Sequence, residues 1–423
     1  MTAIQHRVSG LLRVLKTQGT AGVATAVAKR LVDRINERVD LAVAELPVRP
    51  EDLADSGALL PAAARAAGGR KMRIGWVCAP PSAGSGGHTT LFRMVEIAEQ
   101  RGHECTLFLY DKNSDDVSRH EAVIREHWTG LKAGVHSATA GMAGMDAVVA
   151  SSWGAAHVVA MRAPTTASRF YFIQDFEPYF YPRGALYSFA EDTYRFGFTN
   201  IALGEMIATR LRTEVGIEPD VVVPFGCDDV QYRLLPRDDS AAPRSGVVYY
   251  AKRSVDRRGY LLAKLALEEF HSEHPDQEIH VVGDRVTNWS VPVTNHGSLT
   301  PKDLNVLYNR TIASLSLSFT NISLVPEELM AAGNVPVMND HEFSRAVLDA
   351  PHAIWAKPTP RAIARALSNA VTAPDIDGRA RLLSAPGGRG WTTTAVLVSE
   401  TIEAVCAEPG TSRPEARELG AHK

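Results

Sequence analysis

The segment from residue 315 to residue 337 constrains the fold more than any other part of the sequence. Residues 315–319 alternate leucine with serine before a phenylalanine, and this period of two predicts a strand. Pro326 is tolerated in a first helical turn, the two glutamates after it suit a helix amino terminus, and Gly333 can end the helix. A second short strand is predicted at residues 335–337. This order of elements is typical of an α/β protein with a parallel sheet.

The loop over residues 320–324 precedes the predicted helix, at the edge of the sheet where α/β proteins bind ligands. Backbone N–H groups at a helix amino terminus are free to bind anions. A carboxylate at Glu328 suits the hydroxyl groups of a ribose or a sugar beside a bound phosphate. The alternative is that the two glutamates only stabilise the helix dipole. The ligand contacts predicted here are Thr320, Asn321, Ser323 and Glu328.

This segment resembles a signature of nucleotide-sugar glycosyltransferases of the GT-B type, which have two facing Rossmann-like domains. Their Glu-x7-Glu pattern ends in Glu-Ala-Met-Ala-x-Gly-x-Pro-Val, and residues 328–337 read Glu-Leu-Met-Ala-Ala-Gly-Asn-Val-Pro-Val. Thr320 stands in place of the first glutamate. The resemblance implies the GT-B fold and donor binding by Glu328. It also implies that the role of the missing glutamate passes to the Thr320 hydroxyl or to the loop amides.

Length and composition are compatible with such an enzyme. The 423 residues suggest two to three domains, and a net charge of −3 gives no case for a nucleic-acid partner. The four cysteines lie far apart without metal or redox spacing, which favours a reducing cytosol. No apolar run is long enough to span a membrane, and charges interrupt the first apolar stretch, so a cleaved signal peptide is not expected. We therefore expect a cytoplasmic protein.

Residues 1–45 are predicted to form basic amphipathic helices, and residues 46–70, rich in Pro, Ala and Gly, a linker. One interpretation is peripheral contact of these helices with the anionic inner surface of the membrane. The other is that their apolar stripe packs on the protein body or on another subunit. Both remain open. The chain is thus predicted to begin with an N-terminal helical extension.

The first α/β unit begins with a strand over residues 72–78, a glycine-rich loop over residues 79–88 and a helix over residues 89–100. The loop has neither the G-x-G-x-x-G of dinucleotide enzymes nor the Lys-Ser/Thr of a P-loop. The resemblance implies that it faces the donor phosphates, with Gly86 and Gly87 allowing close approach and His88 in the cleft. The alternative for His88 is a position beside the helix cap without chemistry.

A strand over residues 170–173 leads into a segment rich in acidic and aromatic residues. Asp175 and Glu177 follow that strand among three aromatic residues, a combination that suits sugar recognition. The alternative is a structured loop whose acids cap the next helix. Residues 171–182, Tyr-Phe-Ile-Gln-Asp-Phe-Glu-Pro-Tyr-Phe-Tyr-Pro, resemble the corresponding stretch of WsaF-type rhamnosyltransferases, bacterial enzymes of surface-glycan assembly. The predicted catalytic residues are Asp175, His88 and Glu177, with Asp175 or His88 as the base; a retaining reaction needs none.

Four cations follow the first strand of the second sheet, which is predicted over residues 246–251. They suit binding of a diphosphate, and the alternative is a solvated basic turn. The resemblance places Lys252 and Arg258 on the donor diphosphate, with lysine replacing the family's arginine. The four cations are Lys252, Arg253, Arg257 and Arg258.

The predicted organisation is an extension over 1–70, an N-terminal Rossmann-like acceptor domain over 71–235, a C-terminal donor domain over 236–390, and a loose tail over 408–423. The resemblance implies that a last helix, 391–407, returns to the first domain.

The resemblance implies a glycosyltransferase that moves L-rhamnose from dTDP-L-rhamnose onto a growing or lipid-linked glycan. No cofactor or metal is expected, because no Asp-x-Asp pair follows a strand. A phosphorylase or epimerase of the same fold, and a non-catalytic sugar-binding or nucleotide-binding assembly protein, remain alternatives.

Overall fold

The computed structural model describes residues 27, 41–59, 71–237, 242–322, 324–348, 350–385 and 390–407. Most of the predicted basic helices, the loose tail and Ser323 lie outside the described residues. The chain falls into two units, Met1–Glu51 and Asp52–Lys423. In the first unit the structure describes the short helix α1, Leu41–Glu45. All features below belong to the second unit.

Among the described residues, the second unit contains two parallel sheets, as the sequence predicts. The first has seven strands in the order β3-β2-β1-β4-β5-β6-β7. Its central strands, β1, β4, β5 and β6, are rich in apolar residues and buried on both faces, as covered parallel sheets require. The bounds are β1 Arg73–Cys78, β2 Glu104–Leu109, β3 Gly134–Ser137, β4 Ala147–Ala150, β5 Ser168–Ile173, β6 Thr199–Leu203 and β7 Val221–Val223.

The second sheet has six parallel strands in the order β10-β9-β8-β11-β12-β13, counted over the residues that the structure describes. Numbered from its first strand, this is the 3-2-1-4-5-6 order of Rossmann folds. The bounds are β8 Val247–Ala251, β9 Ile279–Gly283, β10 Thr294–Gly297, β11 Ala313–Leu315, β12 Val335–Asn339 and β13 Ile354–Ala356.

Helices cover both faces of each sheet. The last helix packs against α2 and contacts β7 of the first sheet. The bounds are α2 Gly86–Gln100, α3 Ser118–His127, α4 Trp153–Arg162, α5 Ala185–Asp192, α6 Glu205–Arg210, α7 Tyr260–Glu273, α8 Pro301–Arg310, α9 Val325–Ala331, α10 Glu342–Val347, α11 Pro360–Val371, α12 Ile376–Leu383 and α13 Trp391–Ala407. We call residues 52–237 with α13 the N-terminal half, and residues 242–385 the C-terminal half.

The predicted strand over residues 315–319 is wrong, because β11 ends at Leu315. The side chain of Asn339 satisfies the backbone of Ser318 in place of a neighbouring strand: Ser318 N donates to Asn339 Oδ1 (2.8 Å) and Asn339 Nδ2 donates to Ser318 O (2.7 Å). The chain leaves the sheet four residues earlier than alternation suggested, and the ligand loop is correspondingly longer.

The structure corrects two further predictions, the start of α2 and the extent of the linker. Helix α2 begins at Gly86 rather than at residue 89, so the paired glycines form its first turn. Part of the predicted linker is fixed against the N-terminal half, since Asp52 is 2% exposed. Its carboxylate accepts hydrogen bonds from Arg162 Nε and Tyr110 Oη, both at 2.6 Å. A buried carboxylate with two such partners requires an ordered segment around it.

The described part of the chain contains no helix with the length and apolarity that crossing a membrane requires.

The topology decides where a ligand can bind. In a parallel sheet every strand ends at the same edge, and ligands of open α/β sheets lie at the point where the strand order reverses. Here that point lies between β1 and β4 in one sheet and between β8 and β11 in the other. The segments after β1, β8 and β11 hold most of the residues that the sequence singles out, and Asp175 and Glu177 follow β5 at the same edge of the first sheet.

Substitution of Gly333 tests the backbone conformation and packing of the turn that links α9 to β12. Its φ is +71°, and an added Cβ would lie 2.9 Å from both Ala380 Cβ and Leu234 Cδ1. We expect Gly333→Ala to lower the free energy of unfolding by roughly 2–4 kcal/mol, combining backbone strain with overpacking. The matched control is Gly197→Ala, whose φ is +72° with no atom within 4 Å of the added Cβ. Urea unfolding of both variants should show the larger loss at Gly333; equal losses would contradict the packing argument.

Candidate active site

One cavity of about 330 Å³ lies where the strand ends of the two halves meet. Residues from the loops after β1, β4 and β5 line it on one side, and residues from the loops after β8 and β11 line it on the other. The cavity therefore brings together side chains far apart in sequence. The sequence-predicted site residues in its lining are Gly86, Gly87, His88, Asp175, Glu177, Arg257, Arg258 and Asn321.

The first turn of α2 presents backbone to this cavity. Gly86 and Gly87 both line it, and a Cβ added at Gly86 would meet no atom within 4 Å. A Cβ at Gly87 would approach only the side chain of Gln174, at 3.8 Å. The first N–H groups of a helix have no intrahelical acceptor. A glycine pair there leaves space for an anion to approach these N–H groups and the positive end of the helix dipole.

Two arginines face the cavity from the C-terminal half. Arg258 Nη1 donates to Ser318 Oγ (2.9 Å), which fixes the guanidinium beside the loop after β11. The Arg257 guanidinium carbon lies 3.8 Å from the ring centroid of Phe180, a cation–π contact to the N-terminal half. Arg257 Nε is buried without a hydrogen-bond partner among the described residues. These two arginines line the same cavity as the amino terminus of α2. Because both features are positively charged, the cavity favours a ligand of high negative charge.

The carboxylate of Asp175 joins the two halves. Oδ2 accepts a hydrogen bond from Thr320 Oγ1 (2.9 Å), and Oδ1 accepts from the backbone N–H groups of Asn321 (3.0 Å) and Phe176 (2.8 Å). Burial raises the pKa of Asp175, while Arg258 and the hydrogen bond from Asn321 lower it. Because its oxygens are engaged by these donors, this carboxylate has little capacity left to receive a proton from a ligand.

Glu177 lies in a different environment two residues later. Its Oε2 accepts hydrogen bonds from Tyr171 Oη (2.5 Å) and from the backbone N–H of Trp153, the first residue of α4. Burial raises the pKa of Glu177 to about 7, and the negative charge of Asp175 adds to that rise. The hydrogen bonds from Tyr171 and Trp153 and the positive charge of Arg257 lower the pKa. A carboxyl group that lines a cavity and titrates near neutrality is suited to proton transfer.

Both ring nitrogens of His88 are engaged within its own loop. Nε2 contacts the carbonyl oxygen of Ala79 (2.9 Å), and Nδ1 contacts Ser85 Oγ (2.8 Å). A carbonyl oxygen can only accept, so Nε2 carries the proton and Nδ1 accepts from the serine. Burial lowers the pKa of His88, which keeps the ring neutral. This geometry favours a role in bracing the glycine loop over a role as a base.

Four predicted donor contacts lie outside the lining of this cavity. Lys252 Nζ lies 5.4 Å from the ring centroid of Tyr250, and the exposed Arg253 lies over the ring of Tyr260. The remaining two, Thr320 and Glu328, are also outside the lining. The predicted cluster of cations is therefore divided, with only its last two members at the cavity.

Glu328 lies beside an ion pair that the sequence did not reveal. Arg93 Nη2 of the N-terminal half is 2.7 Å from Asp228 Oδ2. Burial raises the pKa of Glu328 to about 7, Arg93 opposes that rise, and Asp228 and Glu327 add to it. Arg93 belongs to α2 and carries no sequence motif, so only the fold reveals its proximity to Glu328.

The aromatic residues predicted to stack on sugars have protein partners, and among them Phe180 also lines the cavity. Phe180 lies against Arg257, and Tyr179 stacks on Phe343 of the C-terminal half, with ring centroids 6.2 Å apart. Trp153 Nε1 donates to Tyr181 Oη (3.2 Å). The segment rich in acidic and aromatic residues thus forms much of the contact between the halves.

Sequence reasoning missed several polar residues in the lining because each is unremarkable in its local context. Ser152 follows β4 and caps α4, where its Oγ accepts from Ala155 N (3.3 Å). Gln174 follows β5, and its backbone carbonyl oxygen accepts from Asn321 Nδ2 (3.0 Å). The strand-to-helix position of Ser152 was a signal for it, and Gln174 also lies within the 171–182 segment that carries the resemblance. Among the described residues, no three or more His, Cys, Asp or Glu side chains are grouped so as to hold a metal ion.

Comparison with known proteins agrees with this architecture. Residues 245–368 match the family described as WsaF, C-terminal domain. Over 308 residues the chain is 28% identical to the O-antigen biosynthesis protein RfbC of Myxococcus xanthus, a match that covers 67% of this chain and 23% of that protein. The chain therefore spans about a quarter of the length of this relative.

Two solved structures share the fold. Anabaena Alr3699/HepE, crystallised with UDP and glucose, has a TM-score of 0.60 at 15% identity, covering 79% of this chain and 100% of that chain. WaaG, a glycosyltransferase involved in lipopolysaccharide biosynthesis, has a TM-score of 0.55 at 13% identity, covering 78% and 99%. At such identities the likeness shows the fold alone. The prediction of a GT-B fold is confirmed.

The buried position of Glu177 predicts a pH-dependent stability. Its folded-state pKa is raised above the unfolded value of 4.5. Its contribution to stability is therefore fully present below pH 4.5 and is lost as the pH rises through about 7. Relative to Glu177→Gln, we expect the wild type to lose roughly 2–3 kcal/mol of unfolding free energy across this window. Urea unfolding at pH 4.5, 6 and 7.5 measures the difference, and the exposed Glu126→Gln serves as control. A difference that does not change with pH would contradict the environment described here.

Proposed function

We propose that this protein transfers a sugar from a nucleoside diphosphate to a hydroxyl group of a bacterial surface polysaccharide, because residues 245–368 match the WsaF C-terminal family and the chain has the GT-B fold. One observation carries the proposal. A single cavity holds a glycine-rich helix amino terminus, two arginines and a carboxyl group that titrates near neutrality. An inverting transfer uses groups of these kinds to bind the diphosphate and to accept the proton of the acceptor hydroxyl.

The donor diphosphate binds between the first turn of α2 and the two arginines. Its negative charge meets the helix dipole and N–H groups on one side and guanidinium groups on the other. When the bond to the sugar breaks, the leaving diphosphate gains charge, and Arg257 and Arg258 stabilise that charge in the transition state. Because protein cations supply this stabilisation, we propose that the transfer is independent of metal.

The donor that we propose is dTDP-L-rhamnose. The resemblance of residues 171–182 to rhamnosyltransferases and the family match of residues 245–368 support this sugar. The loop after β11 offers a sugar-binding atom, since Asn321 Oδ1 is buried without a hydrogen-bond partner among the described residues and lines the cavity. Asn321 thereby takes the place of the glutamate that Thr320 replaces.

Glu177 is the base of the reaction. The acceptor hydroxyl gives its proton to the Glu177 carboxylate, and the acceptor oxygen forms a bond to the anomeric carbon. The bond between that carbon and the diphosphate oxygen breaks, and the electron pair leaves with the nucleoside diphosphate. Attack from the side opposite the leaving group inverts the anomeric configuration. Asp175 and His88 are less suited, because hydrogen bonds within the protein already occupy their oxygens and nitrogens.

The acceptor is a hydroxyl of a growing or lipid-linked glycan. The relative RfbC is named for O-antigen biosynthesis, which supports a surface polysaccharide as the product.

Nucleoside diphosphates should bind without metal. We expect dTDP, compared with UDP, GDP and ADP in EDTA, to give the largest thermal stabilisation, roughly 2.7 kcal/mol at a hundred times its dissociation constant. Arg258→Met should abolish this effect because it removes a cation from the cavity. Lys252→Met is the matched control and should retain it, since Lys252 lies outside the lining. Stabilisation by none of the four nucleotides would remove the basis for a nucleotide-sugar donor.

Loss of the base should slow transfer strongly while donor binding persists. We expect Glu177→Gln to lower kcat by roughly 10²–10⁴-fold, the usual contribution of general base catalysis. The dissociation constant for the nucleoside diphosphate should change little. Rates are measured with a donor panel and a glycan acceptor, and product NMR reads the anomeric configuration. A variant that keeps kcat within about tenfold, or a retained configuration, would exclude Glu177 as the base.

A further inference from the structure

We propose that Tyr171 is a positioning residue: together with the amino terminus of α4, it fixes one oxygen of Glu177 so that the other is presented to the acceptor hydroxyl. This inference rests on the proposed function, in which Glu177 receives the proton. It concerns a residue that lies behind the site and not in it, because Tyr171 does not line the cavity and is 0% exposed.

The geometry of Glu177 leaves one oxygen for the reaction. Tyr171 Oη donates to Oε2 (2.5 Å), and the backbone N–H of Trp153 donates to the same atom. No hydrogen bond from the described residues reaches Oε1. Since Glu177 lines the cavity, Oε1 is the atom available to an acceptor.

A stacked pair of tyrosines fixes the main chain at the same point. The rings of Tyr171 and Tyr194 stack, with centroids 5.6 Å apart, and Tyr194 Oη accepts from Glu177 N (3.1 Å). The side chain and the backbone of Glu177 are therefore held by two rings that support each other. Tyr171 is placed by β5, a central strand of the first sheet, so its hydroxyl has little freedom to move.

The same hydrogen bond tunes the proton affinity of Glu177. The groups that face this carboxyl are Tyr171 from β5, Trp153 N from α4, Tyr194 from the turn after α5, Asp175 from its own loop and Arg257 from the C-terminal half. Burial keeps Tyr171 protonated, because it raises the pKa of that phenol well above its ordinary value. Tyr171 therefore acts as a neutral donor throughout the assay range. A hydrogen bond donated to the charged form of a carboxyl lowers its pKa, so removal of the donor must raise it.

Tyr171→Phe tests this inference because it removes the hydroxyl and keeps the ring stack. We expect the acid limb of the kcat/KM profile to move upward by about one pH unit. The rate should then fall about tenfold below pH 6.5 and approach that of the wild type at high pH. Affinity for dTDP should be unchanged, as the donor contacts are intact. A purely structural defect would lower the rate by the same factor at every pH.

Tyr187→Phe is the matched control. Tyr187 is also buried in the N-terminal half, and its hydroxyl donates to a carboxylate outside the cavity, Glu214 (3.3 Å). We expect its pH profile to match that of the wild type. A Tyr171→Phe profile that is unshifted, or lowered equally at all pH values, overturns the inference.

Titration of the carboxyl group separates this inference from the proposed function. With ¹³C-labelled glutamate, the Glu177 signal is assigned by its loss in Glu177→Gln and followed from pH 4 to 9. A higher titration midpoint in Tyr171→Phe than in the wild type supports the inference, and an equal midpoint overturns it. If the wild type transfers no sugar from any donor, the proposed function fails whatever the titration shows, and the role in proton transfer fails with it.

Discussion

The carboxylate of Asp175 is the interaction on which the rest of the site depends. It follows β5 of the first sheet and accepts hydrogen bonds from Thr320 and Asn321, which follow β11 of the second. Removing a carboxylate from water is costly, and burial raises the pKa of Asp175; Arg258 and these hydrogen-bond donors offset part of that cost. The contact is therefore favourable only when both halves are in place. The contact lies at the cavity of about 330 Å³, whose lining includes both Asp175 and Asn321.

The same contact shows why residues whose chemistry suits sugar recognition also join the two halves of the chain. Acidic and aromatic residues in one segment suit sugar recognition, and the sequence offers no reason to separate the two uses. In the folded chain, Phe180 lies against Arg257, and Tyr179 stacks on Phe343. Both partners come from the other half of the chain. Tertiary context thus decides whether an aromatic ring is available to a ligand: Tyr179 lies in the contact between the halves, whereas Phe180 contacts Arg257 and also lines the cavity.

The sequence predicts the parts of the fold that depend on the preferences of neighbouring residues in the chain. Pro326 in a first turn and Gly333 at a φ of +71° place α9 where residue preferences put it. The end of β11 was missed because it depends on Asn339, which lies 21 residues beyond Ser318. The positions of Asp175 and Glu177 at a strand end were predictable, but their partners lie up to 146 residues away and have no periodic signal. Site residues were therefore accessible from sequence, and their roles were not.

Asp175 and Glu177 show how two carboxyl groups of one loop come to differ. Asp175 is held by an adjacent arginine and by donors from the other half, so protonating it would weaken the contact that closes the cavity. Glu177 is held by neutral donors, a phenol and a helix N–H, both from the N-terminal half. It can gain and lose a proton without disturbing that contact. Burial raises the pKa of both carboxyl groups, and it is the difference in their hydrogen-bond partners that separates a structural carboxylate from a proton acceptor in this loop. In the proposed reaction, proton transfer at Glu177 therefore proceeds while the two halves remain joined through Asp175.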